Sequence, residues 1–169
     1  GTRREDAAGD ATAPEVILFG LGRYGLGIGA ELRDAGLRVL GVDFSPEAAR
    51  HARAQGYDVL FGDATDPEFL AHLPLRSAKW LVLAVPEHDT GVTHDDPRRA
   101  LLRTARDLGF EGRVAVAAHR VSSVDTLSRD GADLVLMPYR DAAVAAAGMI
   151  LGRTEAPETV QRDPLGQED

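Results

Sequence analysis

The chain contains no cysteine, so disulfides, thiolate metal centres and thiol nucleophiles are excluded. Lysine is almost absent too: of 19 basic residues only Lys79 is a lysine, the rest being arginines, a bias that reads as coding background rather than mechanism. A Tyr-x-x-x-Lys catalytic pair is impossible, because Tyr24, Tyr57 and Tyr139 are followed at that spacing by Ile28, Phe61 and Ala143. Basic charge is not in excess. The net charge is −8, which argues against sequence-independent nucleic-acid binding, since that needs a cationic face to displace counterions from phosphates. No apolar run approaches the ~20 residues of a membrane-spanning helix, and no signal peptide is visible. The expectation is a soluble, cytoplasmic chain.

What is present suits one globular domain. The 169 residues, 44% apolar and 27% charged, leave room for little more than that. Residues 1–13 mix charge, Gly, Ala and Thr without hydrophobic period and read as a disordered linker; residues 152–169 read as a disordered tail. Between them, in residues 14–151, short apolar runs alternate with helical patterns. The predicted strands are Val16–Phe19, Arg38–Val42, Asp58–Phe61, Trp80–Val85, Val114–Ala117 and Leu134–Met137. Most are continuously apolar, as for strands covered on both faces. The predicted helices are Tyr24–Ala35, Pro46–Gln55, Pro67–His72, Pro97–Leu108, Ser123–Arg129 and Arg140–Leu151. Ser45-Pro46 and Asp66-Pro67 each set a capping side chain before a proline at the first helical position, and Gly36, Gly56, Gly109 and Gly131 mark helix ends. The pattern predicts an α/β fold, a Rossmann-like doubly wound parallel sheet of six strands in the order 3-2-1-4-5-6.

The first strand closes on Gly20-Leu21-Gly22-Arg23-Tyr24-Gly25, a G-x-G-x-x-G at a strand-to-helix turn. Gly20 permits the sharp turn, Gly22 lets a pyrophosphate approach backbone N–H groups, and Gly25 lets the helix lie close to the sheet. The helix N-terminus offers donors and a positive dipole end to a phosphate, and Arg23 can pair with one directly. The alternative is a tight turn with no ligand. Gly27 and Gly29 continue the run and read as helix packing. The second strand ends on Asp43, whose carboxylate can accept from both ribose hydroxyls and repels a 2′-phosphate. That selects NAD, AMP, ADP or ATP over NADP; the alternative is that Asp43 only caps the next helix. Phe44 can cover an adenine face or belong to the core. After the third strand comes Gly62-Asp63-Ala64-Thr65, where Asp63 can accept from the adenine amino group and Ala64 leaves room for the ring. The competing reading is a Gly-Asp turn with a helix cap.

Other candidates are less specific. Residues 86–96 hold His88, His94 and four acids, which suits a ligand contact from His88 or Asp89 but is favoured as a solvated loop rather than a metal site. His119 follows a strand near the phosphate end and is a candidate ligand contact; His51 and His72 read as surface residues. The last helix is apolar almost all round, so it is either buried in the domain or packed on a second copy, and the second is the expectation.

Taken together, V-I-L-F-G-L-G-R-Y-G, V-D-F-S-P, G-D-A-T-D and the later G-A-D-L-V-L-M-P resemble the nucleotide-binding regulatory domain of potassium channels and Kef-type cation/proton antiporters, known as RCK-N, TrkA-N or KTN, over about residues 15 to 151. The resemblance implies a cytosolic, non-enzymatic module that associates with the membrane through a cation transporter domain, binds adenine nucleotides or NAD(H), and forms a dimer or larger ring. By resemblance, Gly20, Gly22, Arg23, Tyr24 and Gly25 match the phosphate loop, Asp43 the ribose acid, and Asp63, Ala64 and Thr65 the adenine-side loop. Ala117-Ala118-His119-Arg120 departs from the arginine-rich segment of many relatives, and an asparagine expected soon after the fourth strand is missing. Those departures fall in the nicotinamide half, so AMP or ADP is the first choice and NAD(H) the second. The rival classes are a small NAD-dependent oxidoreductase, for which no residues remain to build a substrate domain, and a structural dimerisation module with a decayed site.

Overall fold

The structure, a computed structural model, describes residues 12–85 and 96–157. Six strands form one all-parallel sheet: β1 Val16–Phe19, β2 Val39–Asp43, β3 Asp58–Phe61, β4 Trp80–Leu83, β5 Arg113–Ala117 and β6 Leu134–Leu136. Their spatial order is β3-β2-β1-β4-β5-β6, as the alternating pattern predicts. The chain reverses its winding between β1 and β4, which pair in register from Val16 opposite Trp80 to Phe19 opposite Leu83. Ligands of doubly wound sheets bind at the carboxyl ends of the strands at that point. The helices are α1 Arg23–Asp34, α2 Pro46–Ala54, α3 Pro67–Ala71, α4 Pro97–Asp107, α5 Val124–Arg129 and α6 Pro138–Ile150.

The continuously apolar strands have a simple cause. Successive side chains point to opposite faces of a sheet, and both faces are covered. Val16 and Leu18 of β1 pack with Ala49, Ala52 and Tyr57 on one side. Ile17 and Phe19 pack with Leu70, Leu101, Leu102 and Phe110 on the other. Helix starts and stops follow local chemistry. Ser45, Asp66 and Asp96 each accept a backbone N–H in the first turn of α2, α3 and α4, and each precedes a proline. Gly36, Gly56, Gly109 and Gly131 end helices at φ between 86° and 108°, a region that side chains with a Cβ avoid.

Some boundaries differ from the sequence reading. β4 ends at Leu83 rather than Val85, although the Ala84 amide still donates to the Phe19 carbonyl at 2.8 Å. α6 begins at Pro138 rather than Arg140. The chain divides into two compact units, residues 1–137 and 138–169. In the second unit α6 closes at Gly152, where the amides of Arg153 and Thr154 both donate to the Gly148 carbonyl. No α6 residue is buried; Tyr139 is 86% and Ile150 85% exposed. Most of the expected linker and tail lie outside the described residues.

Candidate functional site

The loop from β1 to α1 shows what each glycine does. Gly20 has φ +96°, and a Cβ there would meet the Val85 nitrogen at 3.0 Å and the Ala84 carbonyl carbon at 3.1 Å. Its amide donates to Val42 O at 3.0 Å, anchoring the turn to β2. A Cβ on Gly25 would lie 1.8 Å from the Gly20 carbonyl oxygen, so α1 can sit on the strand only with glycine there. Gly22 differs. Its φ of −74° suits any residue, yet among the described residues nothing lies within 4 Å of where its Cβ would be. The space is open for a ligand. Gly22 also caps α1 without a side chain, unlike the starts of α2, α3 and α4, so the amide-rich, dipole-positive end faces outward.

Arg23 is exposed at that end and Tyr24 is half-buried. Arg23 also borders a groove of about 490 Å³ shared with Leu21, Gly22, Leu26, Gly27, His51 and Gln55. Gly29 meets the Tyr57 ring and Leu18 closely, as packing predicts, whereas Gly27 has nothing within 4 Å among the described residues and is not a packing glycine there.

Asp43 joins this loop to β2. Its Oδ2 accepts from the Leu21 amide at 2.8 Å and its Oδ1 from the Ser45 amide at 2.9 Å. The capping of α2 belongs to Ser45, whose hydroxyl accepts from Ala48. Each carboxylate oxygen has a second lone-pair site. Two backbone donors therefore fix the carboxylate in place without exhausting its capacity to accept from a vicinal diol.

Beside Asp43 opens a crevice of about 590 Å³, lined on one side by Phe44, Phe61 and Asp63-Ala64-Thr65, and on the other by Val85, Pro97, Arg98 and Leu101. That volume is ordinary for a site holding a small organic molecule. Phe44 is 71% and Phe61 55% exposed. Neither ring is core; both are apolar faces standing at the crevice. Asp63 is held by Thr65, accepting from its amide at 2.8 Å and its hydroxyl at 2.7 Å. These bonds, side chain first, hold its carboxyl below the usual aspartate range, so at neutral pH it can only accept. Helix α3 is capped by Asp66 rather than by Thr65. Phe69 covers Gly62, whose Cβ would stand 2.2 Å from the ring.

Arg98, absent from the sequence-based candidates, is the only buried charged side chain among the described residues, at 4% exposure. Its Nη2 lies 2.7 Å from Asp96 Oδ2, its Nε bonds both carboxylate oxygens, and its Nη1 donates to the Ala117 carbonyl at the end of β5. Burial works against the Asp96 charge, but hydrogen bonds from Arg98 and the charges of Arg98 and Arg99 outweigh it and hold the carboxyl below its ordinary value. One signal was available: two arginines in the first turn of a helix oppose the macrodipole and need partners. Arg99 pairs with Asp130 at 2.9 Å.

The structure thus groups Gly20, Gly22, Gly25 and Asp43 at one loop junction, with Phe44, Asp63, Ala64 and Thr65 along the adjoining crevice. His119 is exposed beyond β5 and is not among the crevice residues. His88 and Asp89 lie outside the described residues. His51 and His72 are exposed, and the described residues contain no group of three or more metal-ligating side chains. No described helix is long and apolar enough to cross a membrane.

Residues 16–138 match the sequence model of the TrkA-N domain. The chain belongs to the TrkA-N family. This TrkA-N chain is 28% identical over 154 residues to Ktr system potassium uptake protein A of Vibrio alginolyticus, spanning 90% of this chain and 64% of that protein. It is 28% identical over 164 residues to the glutathione-regulated potassium-efflux system protein KefC of Salmonella arizonae, covering 94% of this chain and 25% of KefC. The chain therefore spans only part of either relative. Three solved structures share the fold. The TrkA-N domain of the inner membrane protein ybaL from Escherichia coli has TM-score 0.65 at 24% identity, covering 83% of this chain and 99% of that one. The GsuK channel bound to NAD has TM-score 0.62 at 22% identity, with coverages of 76% and 22%. The Kef CTD of Shewanella denitrificans in its AMP-bound form has TM-score 0.60 at 22% identity, with coverages of 83% and 82%.

Proposed function

We propose that this TrkA-N domain binds an adenine nucleotide at the carboxyl ends of β1–β4 and through it regulates a membrane-embedded cation transporter. The observation that carries the reading is Asp43, fixed by the Leu21 and Ser45 amides between the glycine loop and the aromatic crevice. Ribose hydroxyls donate to the Asp43 carboxylate, and the phosphate lies at the α1 N-terminus against the open face of Gly22, with Arg23 near it. The base enters the crevice beside Phe44 and Phe61, its amino group donating to Asp63. AMP or ADP is the first choice and NAD(H) the second; the AMP-bound Kef CTD and the NAD-bound GsuK channel support that class. The domain is read as binding without catalysing, in keeping with its similarity to a potassium uptake protein and a potassium-efflux system protein.

Regulation requires only that the nucleotide bind two arrangements of the domain with different affinity. The apolar, unburied α6 is read as the contact to a second copy, giving a homodimer at the cytoplasmic face of the membrane. Calorimetric titration of the nucleotide-stripped chain with AMP, ADP, ATP, NAD and NADH tests the proposal. Selective binding of a mononucleotide supports an energy-state sensor, preference for NADH over NAD supports a redox sensor, and no binding to any refutes the nucleotide site.

A further inference from the structure

At the amino ends of the central strands, opposite the crevice, Glu15 and Arg38 are joined more densely than a surface ion pair requires. The Arg38 carbonyl accepts from the amides of Glu15 at 2.9 Å and Val16 at 3.1 Å. Its own amide donates to Glu15 Oε1 at 3.4 Å, and its Nη1 lies 3.3 Å from the same oxygen. Its Nε reaches back to the Ala13 carbonyl at 2.7 Å. Glu15 in turn meets the start of β4: its carbonyl accepts from Lys79 and Trp80, and its Oε2 is 3.7 Å from Lys79 Nζ. The Glu15 side chain is only 16% exposed, so these bonds are partly shielded from water. Residues 13–15, the chain entering β1, are tied to β2 and β4 together.

Arg38 directly precedes β2, and Asp43 ends it. One five-residue strand, about 17 Å long at the usual rise, carries the entry clamp at one end and the ribose acid at the other. β1 and β2 are paired in register from Val16 opposite Val39 to Phe19 opposite Val42, and a carboxylate closes each end of the pair: Glu15 below, Asp43 above. A packed strand pair of this kind transmits order rather than bending freely.

We propose that Arg38 and Glu15 form a latch on the segment entering β1, and that β2 links the latch to occupancy at Asp43. The linkage rests on the nucleotide reading above; the latch itself does not. By reciprocity, a nucleotide that orders Asp43 tightens the latch, and loosening the latch weakens the nucleotide by the same factor.

Hydrogen exchange of a peptide covering residues 12–16 in the full 169-residue chain tests both parts, with saturating AMP, and separately NADH, as probes. Without nucleotide, Arg38→Gln is expected to speed exchange there about five- to tenfold, the effect of losing a charge-assisted bond and a partly shielded pair. Glu15→Gln, which keeps an acceptor for the Arg38 amide, gives a smaller change of the same sign and serves if Arg38→Gln does not fold. In the wild type, AMP or NADH slows exchange at 12–16, and in Arg38→Gln its affinity falls several-fold. Unchanged exchange in both variants overturns the latch. Nucleotide binding with no change at 12–16 overturns the linkage. If neither nucleotide binds the wild type, the functional reading and the linkage fall together, while the exchange rates of the variants still decide the latch.

Discussion

Replacing Asp43 with alanine separates the two tasks of this carboxylate. In the empty chain it holds the amides of Leu21 and Ser45. Leu21 is 2% exposed, so its orphaned N–H costs about 1–3 kcal/mol if it stays dry, whereas water replaces the partner of Ser45. A total loss of about 1–2 kcal/mol is expected, lowering Tm by roughly 2–4 °C per kcal/mol in a chain of this size. The fold persists. On the proposed reading, the variant also loses two charge-assisted hydrogen bonds to the ribose when nucleotide is present. At the lower end of their range these are worth about 3 kcal/mol together, on the order of 100-fold in affinity. Asp43→Asn is milder for stability, because the amide oxygen still accepts from one of the two N–H groups, but its NH₂ opposes the other. Calorimetric titration with AMP alongside thermal unfolding measures both quantities. An alanine variant that is destabilised as expected yet binds AMP within about twofold of the wild type would refute the ribose assignment.

The glycines of the loop make an internal contrast: Gly22→Ala should leave Tm nearly unchanged but weaken AMP at least tenfold, whereas Gly25→Ala, which drives a Cβ onto the Gly20 carbonyl, should cost about 3 kcal/mol or more in denaturant unfolding. Arg98→Met leaves Asp96 without its main partner and should destabilise by about 1–3 kcal/mol, the half-open carboxylate reducing the usual cost of breaking a buried pair; urea unfolding checks it. Because the Asp96 carboxyl is held below its ordinary value in the folded chain, its contribution is fully present above the unfolded value of about 4 and disappears as pH falls through the lower folded value. Asp96→Asn should therefore flatten the stability–pH curve in that acid window and leave its slope near neutrality unchanged. Val144→Glu together with Ile150→Glu on α6 should shift a homodimer to monomer in sedimentation velocity without lowering the Tm of the sheet domain.

The fold was legible because its signals are local. Proline after a capping residue starts α2, α3 and α4; glycine at positive φ ends α1, α2, α4 and α5; unbroken apolar runs mark strands covered on both faces. The glycine loop and Asp43 were legible for the same reason, as both depend on backbone geometry that short motifs encode. Arg98 was not, because its burial is decided by Asp96 and by the carbonyl of Ala117 on a distant strand. Phe61 was read only as the end of a strand. Its exposure follows from β3 being an edge strand, which alternation within four residues cannot reveal. The double duty of Asp43 was hidden likewise, since the Leu21 amide is 22 residues away along the chain.

The near-absence of lysine has a practical side. Lys79 is the only lysine, its side chain is 73% exposed, and it stands just before β4 at the amino ends of the strands, beside Glu15. An amine-reactive fluorophore coupled there labels one side chain. It would neutralise the ammonium next to Glu15 while leaving the glycine loop and Asp43 untouched. The same reaction offers a surface tether at the end of the strands opposite the crevice, and a reporter beside the segment entering β1.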